Sequence, residues 1–255
     1  MIVWLASYPR SGNTFLRIVI NHLYGRGSST VYPVDGVRER LGDLVVTENA
    51  GTSLAELRNS PEVHFVKTHP RRSYDVSAAD SALYVARDGR DALVSFARQR
   101  TEEAPERYAD ELEELIQRRT GGTASWGQNV LSWLPLDEQA DTAGPARTAL
   151  IRFEDLVRDP LVTVTEAVRR IVPDLPSRTD VTLPTFGELG QFDPRFFRRG
   201  TTGTHRDEMP AELEELFWSY EDNREAMNRL SYGRETALPD VDPNLNPAGL
   251  APHVR

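Results

Sequence analysis

Apolar and polar residues follow one another along this chain in blocks that read as strand, turn and helix, starting from its first residues. Ile2 to Ala6 is an almost wholly apolar run, the pattern of a strand buried on both faces of a parallel sheet. Ser7 to Gly12 carries turn residues, and from Asn13 apolar side chains recur at helical spacing through Phe15, Leu16, Ile18, Val19, Ile20 and Leu23. Val63 to Pro70 is a second strand-like run, and Ala82 to Phe96 reads as strand, turn and helix. Thr148 to Leu156 reads as another strand, ending in the Glu154-Asp155 pair. Pro160 to Ile171 and Pro210 to Leu230 have helical spacing, the latter through Leu213, Leu216, Phe217 and Tyr220. Asp35 to Pro61 is a polar connection with one short helical stretch around Leu54 to Arg58. Strands alternating with helices predict an α/β fold, an open and mostly parallel sheet flanked by helices. One domain over residues 1–235 follows, and the Pro-, Asn- and Asp-rich residues 236–255 read as a loose tail.

The first strand, loop and helix together make an anion site. Backbone N–H groups converge at the helix N-terminus, the helix dipole adds positive potential, and Ser11 and Thr14 supply hydroxyls beside the permanent cation of Arg10. A Walker loop needs Gly-x-x-x-x-Gly-Lys-Ser/Thr, whereas Gly12 here is followed by Asn13 and Thr14. Lysine and arginine together number 30, and Lys67 is the only lysine. In a chain so committed to arginine, a single lysine suggests a position where guanidinium does not serve. Alternation along the second strand puts Lys67 and His69 on one face, at the carboxyl end where open α/β sheets hold their ligands. Taken by itself, such a pair serves catalysis or simple solvation about equally well. Arg87 stands at the end of the next strand, with Ser95 on the helix after it. A fixed guanidinium and a hydroxyl suit a phosphate, although Asp88 and Asp91 are also available as ion-pair partners.

The segment Ser7-Tyr-Pro-Arg-Ser-Gly-Asn-Thr-Phe15 resembles the 5′-phosphosulfate loop of the sulfotransferases that use 3′-phosphoadenosine 5′-phosphosulfate (PAPS). Arg10 stands where that family usually has lysine, and Phe15 where it has tryptophan. Lys67-Thr-His69 resembles the family's Lys-Thr-His segment, whose histidine is the general base. Arg87 and Ser95, eight positions apart, resemble its 3′-phosphate motif. Arg152-Phe-Glu-Asp155 resembles its Tyr-Glu-Asp element, with Phe153 for tyrosine. Arg198-Arg199-Gly200 and Gly203 match its Arg-Lys-Gly-x-x-Gly element, whereas Thr204 and His205 depart from the Asp-Trp that follows. Ser125-Trp126 resembles its Gly-Ser-Trp segment beside the acceptor. The resemblance spans most of residues 2–206.

These matches imply a PAPS-dependent enzyme that leaves 3′,5′-diphosphoadenosine (PAP). They imply that Arg10, Ser11, Gly12, Asn13, Thr14 and Phe15 bind the 5′ end and the adenine, and that Arg87, Ser95, Phe153, Arg198, Arg199 and Gly200 bind the rest of the nucleotide. His69, Lys67, Arg10 and Ser95 are the implied catalytic set, and Tyr8 and Trp126 the implied acceptor contacts. No metal is implied, since protein cations stabilise the leaving phosphate. The implied acceptor is a small or medium-sized hydroxyl compound, a specialised metabolite among the possibilities. A nucleotide kinase and a non-catalytic PAP-binding protein are the other classes that share a phosphate cradle.

The remaining composition fits that picture. No apolar run is long enough to cross a bilayer, so no membrane partner and a cytoplasmic location are expected. There is no cysteine, which removes thiolate chemistry and disulfides. A net charge of −9 argues against nucleic acid as a partner. Glu102, Glu103, Glu106, Asp110, Glu111, Glu113 and Glu114 crowd one stretch of residues 101–125. A solvated helix face is its simplest reading, and an acceptor lid the sharper one. His22 and His64 read as structural, and no feature of the chain fixes its oligomeric state.

Overall fold

The computed structural model describes residues 1–31, 37–48, 51–73, 75–134, 147–194, 197 and 201–234. In chain order the first half runs β1 (Ile2–Ser7), α1 (Asn13–Tyr24), β2 (Ser28–Thr30), α2 (Val37–Leu41), α3 (Leu54–Asn59), β3 (His64–Thr68), β4 (Ser81–Ala86), α4 (Gly89–Arg100), α5 (Tyr108–Gln117) and α6 (Trp126–Trp133). There follow β5 (Thr148–Arg152), α7 (Phe153–Arg158), α8 (Pro160–Ile171), α9 (Phe186–Phe192), α10 (His205–Glu208), α11 (Ala211–Ser219) and α12 (Glu221–Arg229).

The strands form one sheet in the order β2-β3-β1-β4-β5, and every pair is parallel. Parallel neighbours require crossovers, and the helices that supply them cover both faces. Alternation in β1 divides the core cleanly. Val3 and Leu5 join the residues of α1, α7 and α8 on one face, while Ile2, Trp4 and Ala6 join those of α4, α5, α6, α11 and α12 on the other. The register pairs Leu5 with Lys67 and Ser7 with Val85, so the carboxyl ends of β1, β3 and β4 lie side by side. The expected α/β architecture is present.

Three local outcomes differ from the sequence expectations. β5 ends at Arg152, and Glu154 and Asp155 sit in the first turn of α7, where the helix dipole favours carboxylates. The stretch from Pro210 to Leu230 is two helices, with Tyr220 between them in extended backbone. Side chains of the second helix satisfy carbonyls at the end of the first. Asn223 donates to Phe217 O at 3.0 Å, and Arg224 donates to Trp218 O at 2.7 Å and Ser219 O at 2.8 Å. β2 has no apolar pattern and exists through its pairing with β3. Among the described residues, no helix is long and apolar enough to cross a membrane. The expected tail 236–255 lies outside the described residues.

Candidate active site

The loop after β1 turns tightly into α1. Arg10 has φ 66° and Gly12 has φ 103°, two left-handed residues in one short turn. Arg10 is strained there, since a side chain with Cβ avoids that region. Gly12 serves as the N-cap of α1 without a side-chain cap, which leaves the first-turn N–H groups to other partners. A Cβ on Gly12 would lie 2.7 Å from the Phe153 ring, so the chain needs glycine here for space as well as conformation. Asn13 Nδ2 donates to Leu5 O at 2.8 Å and tethers the helix start to β1. Ser11 Oγ and Asn13 Oδ1 are buried with no partner among the described residues. Buried polar atoms are normally satisfied, and a phosphate would satisfy the serine hydroxyl here. The loop fits an anion.

Beside it, the exit of β3 carries Lys67 and His69. Lys67 is 5% exposed, and His69 stands one residue past the strand end. His69 Nδ1 lies 3.0 Å from Ser7 O and 3.3 Å from Ser7 Oγ. A carbonyl only accepts, so the Nδ1 proton is fixed on the Ser7 side and the ring's lone pair falls on Nε2. That is the tautomer a general base needs. Helix α6 braces the segment from behind. Asn129 Nδ2 donates to His69 O at 2.8 Å and to Thr123 O at 3.2 Å, while its Oδ1 accepts from Tyr84 OH at 2.9 Å. Trp133 Nε1 donates to Pro70 O at 3.1 Å. Asn129 escaped the sequence reading; its one signal was its place three residues after Trp126 in the matched segment.

Arg87 directly follows β4 and is 7% exposed. It donates to Arg10 O and to Thr201 O, each at 3.1 Å, and its guanidinium stacks 4.4 Å from the centroid of the Phe153 ring. Its Nε has no partner among the described residues. Arg10 Nε donates to Ser95 Oγ at 3.3 Å, which joins the β1 loop to α4. Asp91, on the same helix, is enclosed by residues 203–205, with His205 Nδ1 at 2.7 Å. Burial by itself would raise the Asp91 carboxyl, but the His205 hydrogen bond and the Arg87 charge outweigh it and hold the group well below the usual carboxylate range. Glu154 goes the other way. Burial raises its carboxyl, and a 2.6 Å hydrogen bond from Tyr232 OH offsets that only in part.

The structure therefore brings Arg10, Ser11, Gly12, Asn13, Thr14, Lys67, His69, Arg87, Ser95 and Phe153 to the carboxyl end of the sheet. Phe15 is buried with the α1 core. Trp126 is a packing residue: its ring sits where a Cβ on Gly89 would lie 2.6 Å away, and it packs on Phe217 at 5.7 Å between centroids. Tyr8 is buried edge-on to Phe96 at 6.1 Å, and burial raises its hydroxyl. Arg198, Arg199 and Gly200 lie outside the described residues. In α5, Leu112, Leu115 and Ile116 face the core, whereas Asp110, Glu113 and Glu114 are exposed.

A family model described as a sulfotransferase domain matches residues 2–169. Mouse sulfotransferase 1 family member D1 is 23% identical over 184 residues, which make up 68% of this chain and 60% of that protein. The chain thus spans about three-fifths of that relative's length. The crystal structure of mouse sulfotransferase SULT7A1 complexed with PAP superposes with a TM-score of 0.56 at 16% identity, over 89% of this chain and 88% of that one. Retinol dehydratase in a complex with retinol and PAP gives 0.55 at 17% identity, over 93% of this chain and 82% of that one. At such identities the structural likeness is one of fold.

Proposed function

The chain belongs to the sulfotransferase family, and we propose that it moves a sulfuryl group from PAPS to a hydroxyl of a small or medium-sized acceptor, with His69 as general base. The observation that carries this reading is the 3.0 Å contact of His69 Nδ1 with Ser7 O, beside the loop after β1. The imidazole proton is committed to Ser7 O, and Ser7 opens the loop that holds the unpartnered Ser11 hydroxyl.

In the proposed reaction His69 Nε2 takes the acceptor's proton as its oxygen bonds to sulfur. The bond from sulfur to the 5′-phosphate oxygen breaks, and the electron pair leaves on that oxygen as PAP. Negative charge grows on the leaving phosphate in the loose transition state expected by analogy with phosphoryl transfer. Arg10 and the loop N–H groups stand where that charge develops, and Lys67 offers an ammonium to the sulfuryl oxygens. Ser95 holds the Arg10 guanidinium in place. Positioned proton abstraction is worth roughly 10²–10⁴-fold in rate. Arg87 and Phe153 take the 3′-phosphate end, joined by Arg198, Arg199 and Gly200. Retinol and the androsterone of a second retinol dehydratase complex support a hydroxyl-bearing acceptor.

Calorimetric titration with PAP, ATP and AMP, in parallel and without magnesium, tests the donor. Selective binding of PAP is expected, and a preference for ATP overturns the reading. His69→Ala should then retain PAP affinity and lose turnover with PAPS by at least about 10²-fold. Undiminished turnover removes His69 as the base.

A further inference from the structure

We propose that Asp91 and His205 form a latch that positions Arg87 for the nucleotide's 3′-phosphate, at the place where this chain replaces the family's Asp-Trp by Thr204-His205; the inference rests on the sulfotransferase reading above. Asp91 lies one helical turn after Arg87 and is 1% exposed. A buried carboxylate beside a guanidinium ordinarily takes it in a two-pronged ion pair. Here the nearest approach, Asp91 Oδ2 to Arg87 Nη2, is 3.9 Å, too long for a hydrogen bond.

Both carboxylate oxygens are held instead by the segment 203–205. Oδ1 accepts from His205 N at 2.9 Å, His205 Nδ1 at 2.7 Å and Thr204 Oγ1 at 3.3 Å. Oδ2 accepts from Gly203 N at 2.7 Å. Arg87 is instead held by two neutral carbonyls, Arg10 O and Thr201 O. Carbonyls fix a guanidinium without neutralising it, and the Asp91 charge, felt across 3.9 Å, makes no hydrogen bond to it. The latch thus does two things. It holds the segment that carries Thr201 O, and it keeps Asp91 from competing with a phosphate for Arg87. His205 contributes the shortest of its side-chain bonds, and it is one of the residues at which this chain departs from the family.

Releasing the latch lets Asp91 close on Arg87, so the loss falls on ligands that carry a 3′-phosphate. The test is calorimetric titration of wild type, His205→Ala, His205→Asn and Asp91→Asn with PAP and with AMP. His205→Ala should weaken PAP at least about tenfold, the scale of one hydrogen bond to a charged group, while AMP changes less than about twofold. His205→Asn places an amide N–H near the position of Nδ1–H and should recover most of the PAP affinity. In an Arg87→Ala background, His205→Ala should have no further effect on PAP. If His205→Ala does not fold, His205→Phe, which keeps the ring but donates no hydrogen bond, carries the same comparison; Asp91→Asn removes the competing carboxylate and should cost PAP affinity less than His205→Ala does. Equal losses for PAP and AMP, unchanged PAP affinity, or no recovery with asparagine overturn the latch. Wild-type protein that ignores PAP overturns the functional reading itself.

Discussion

Replacing Asn129 by alanine would remove three hydrogen bonds at once, one fully buried and two partly buried. Tyr84 OH loses its acceptor at 2.9 Å, and the carbonyls of His69 and Thr123 lose donors at 2.8 and 3.2 Å. Asn129 and Tyr84 are both 0% exposed, so water does not readily replace what is lost. Three net hydrogen bonds are worth about 3 kcal/mol, and the stranded Tyr84 hydroxyl adds about 1–2 kcal/mol. A destabilisation near 4 kcal/mol, at roughly 2–4 °C per kcal/mol for a chain of this size, lowers Tm by about 8–16 °C. The assay is thermal melting of Asn129→Ala, Tyr84→Phe and the double variant. Tyr84→Phe should cost less in the Asn129→Ala background than in wild type, because the hydrogen bond is then already gone and phenylalanine removes the stranded hydroxyl, with a coupling of about 1 kcal/mol. Turnover measured below the melting range should fall through kcat, since His69 loses the bond that seats its backbone. A Tm shift under about 2 °C, or strict additivity of the two changes, would refute the reasoning.

Gly12→Ala combines backbone strain of about 1–3 kcal/mol with a methyl 2.7 Å from the Phe153 ring. It should lower Tm and weaken PAP binding at least about tenfold, because the displaced ring carries Arg87 on it; wild-type affinity in a titration counts against this. Glu154→Gln tests a sign. Burial raises the Glu154 carboxyl above its ordinary 4.5, so its contribution to stability is fully present below that pH and is lost as pH rises through the folded value. Melting curves of Glu154→Gln should therefore match or exceed wild type at pH 8 and lose that advantage at pH 4; the reverse order contradicts the sign. Trp126→Leu should cost about 2–4 kcal/mol as a core truncation and leave the acceptor KM unchanged. A raised KM with unaltered Tm would return Trp126 to the acceptor site.

What the sequence disclosed and what it withheld divide along locality. β1 and β4 are unbroken apolar runs because both their faces are covered, and such runs read directly. The loop from Ser7 to Thr14, and Arg87 with Ser95, are compact in sequence because a strand end and the next helix start build each of them. β2 is Ser-Ser-Thr, a strand only because β3 offers it a partner, and no periodicity marks it. The break at Tyr220 rests on side chains of one helix satisfying the carbonyls of another, which apolar spacing does not encode. Asn129 reaches His69 across 60 residues and His205 reaches Asp91 across 114. Contacts at that range leave no local pattern, so the groups that brace the site were hidden while the groups that form it were legible.

Arg10 joins the two ends of the site through one backbone contact and one side-chain contact. Arg10 offers its carbonyl to Arg87, 77 residues away, and its Nε–H to Ser95, 85 residues away. An ammonium would keep the charge but concentrate its donors at one flexible tip, whereas a guanidinium presents Nε–H to Ser95 on a side of the fork separate from its terminal nitrogens. The left-handed backbone at Arg10 (φ 66°) is strain that these contacts hold in place. On the proposed reading, the loop that takes the 5′-phosphate and the arginine that takes the 3′-phosphate are then one hydrogen-bonded unit. Damage at either end must be felt at the other, and nucleotide affinity here is a property of that unit rather than a sum of separate phosphate contacts.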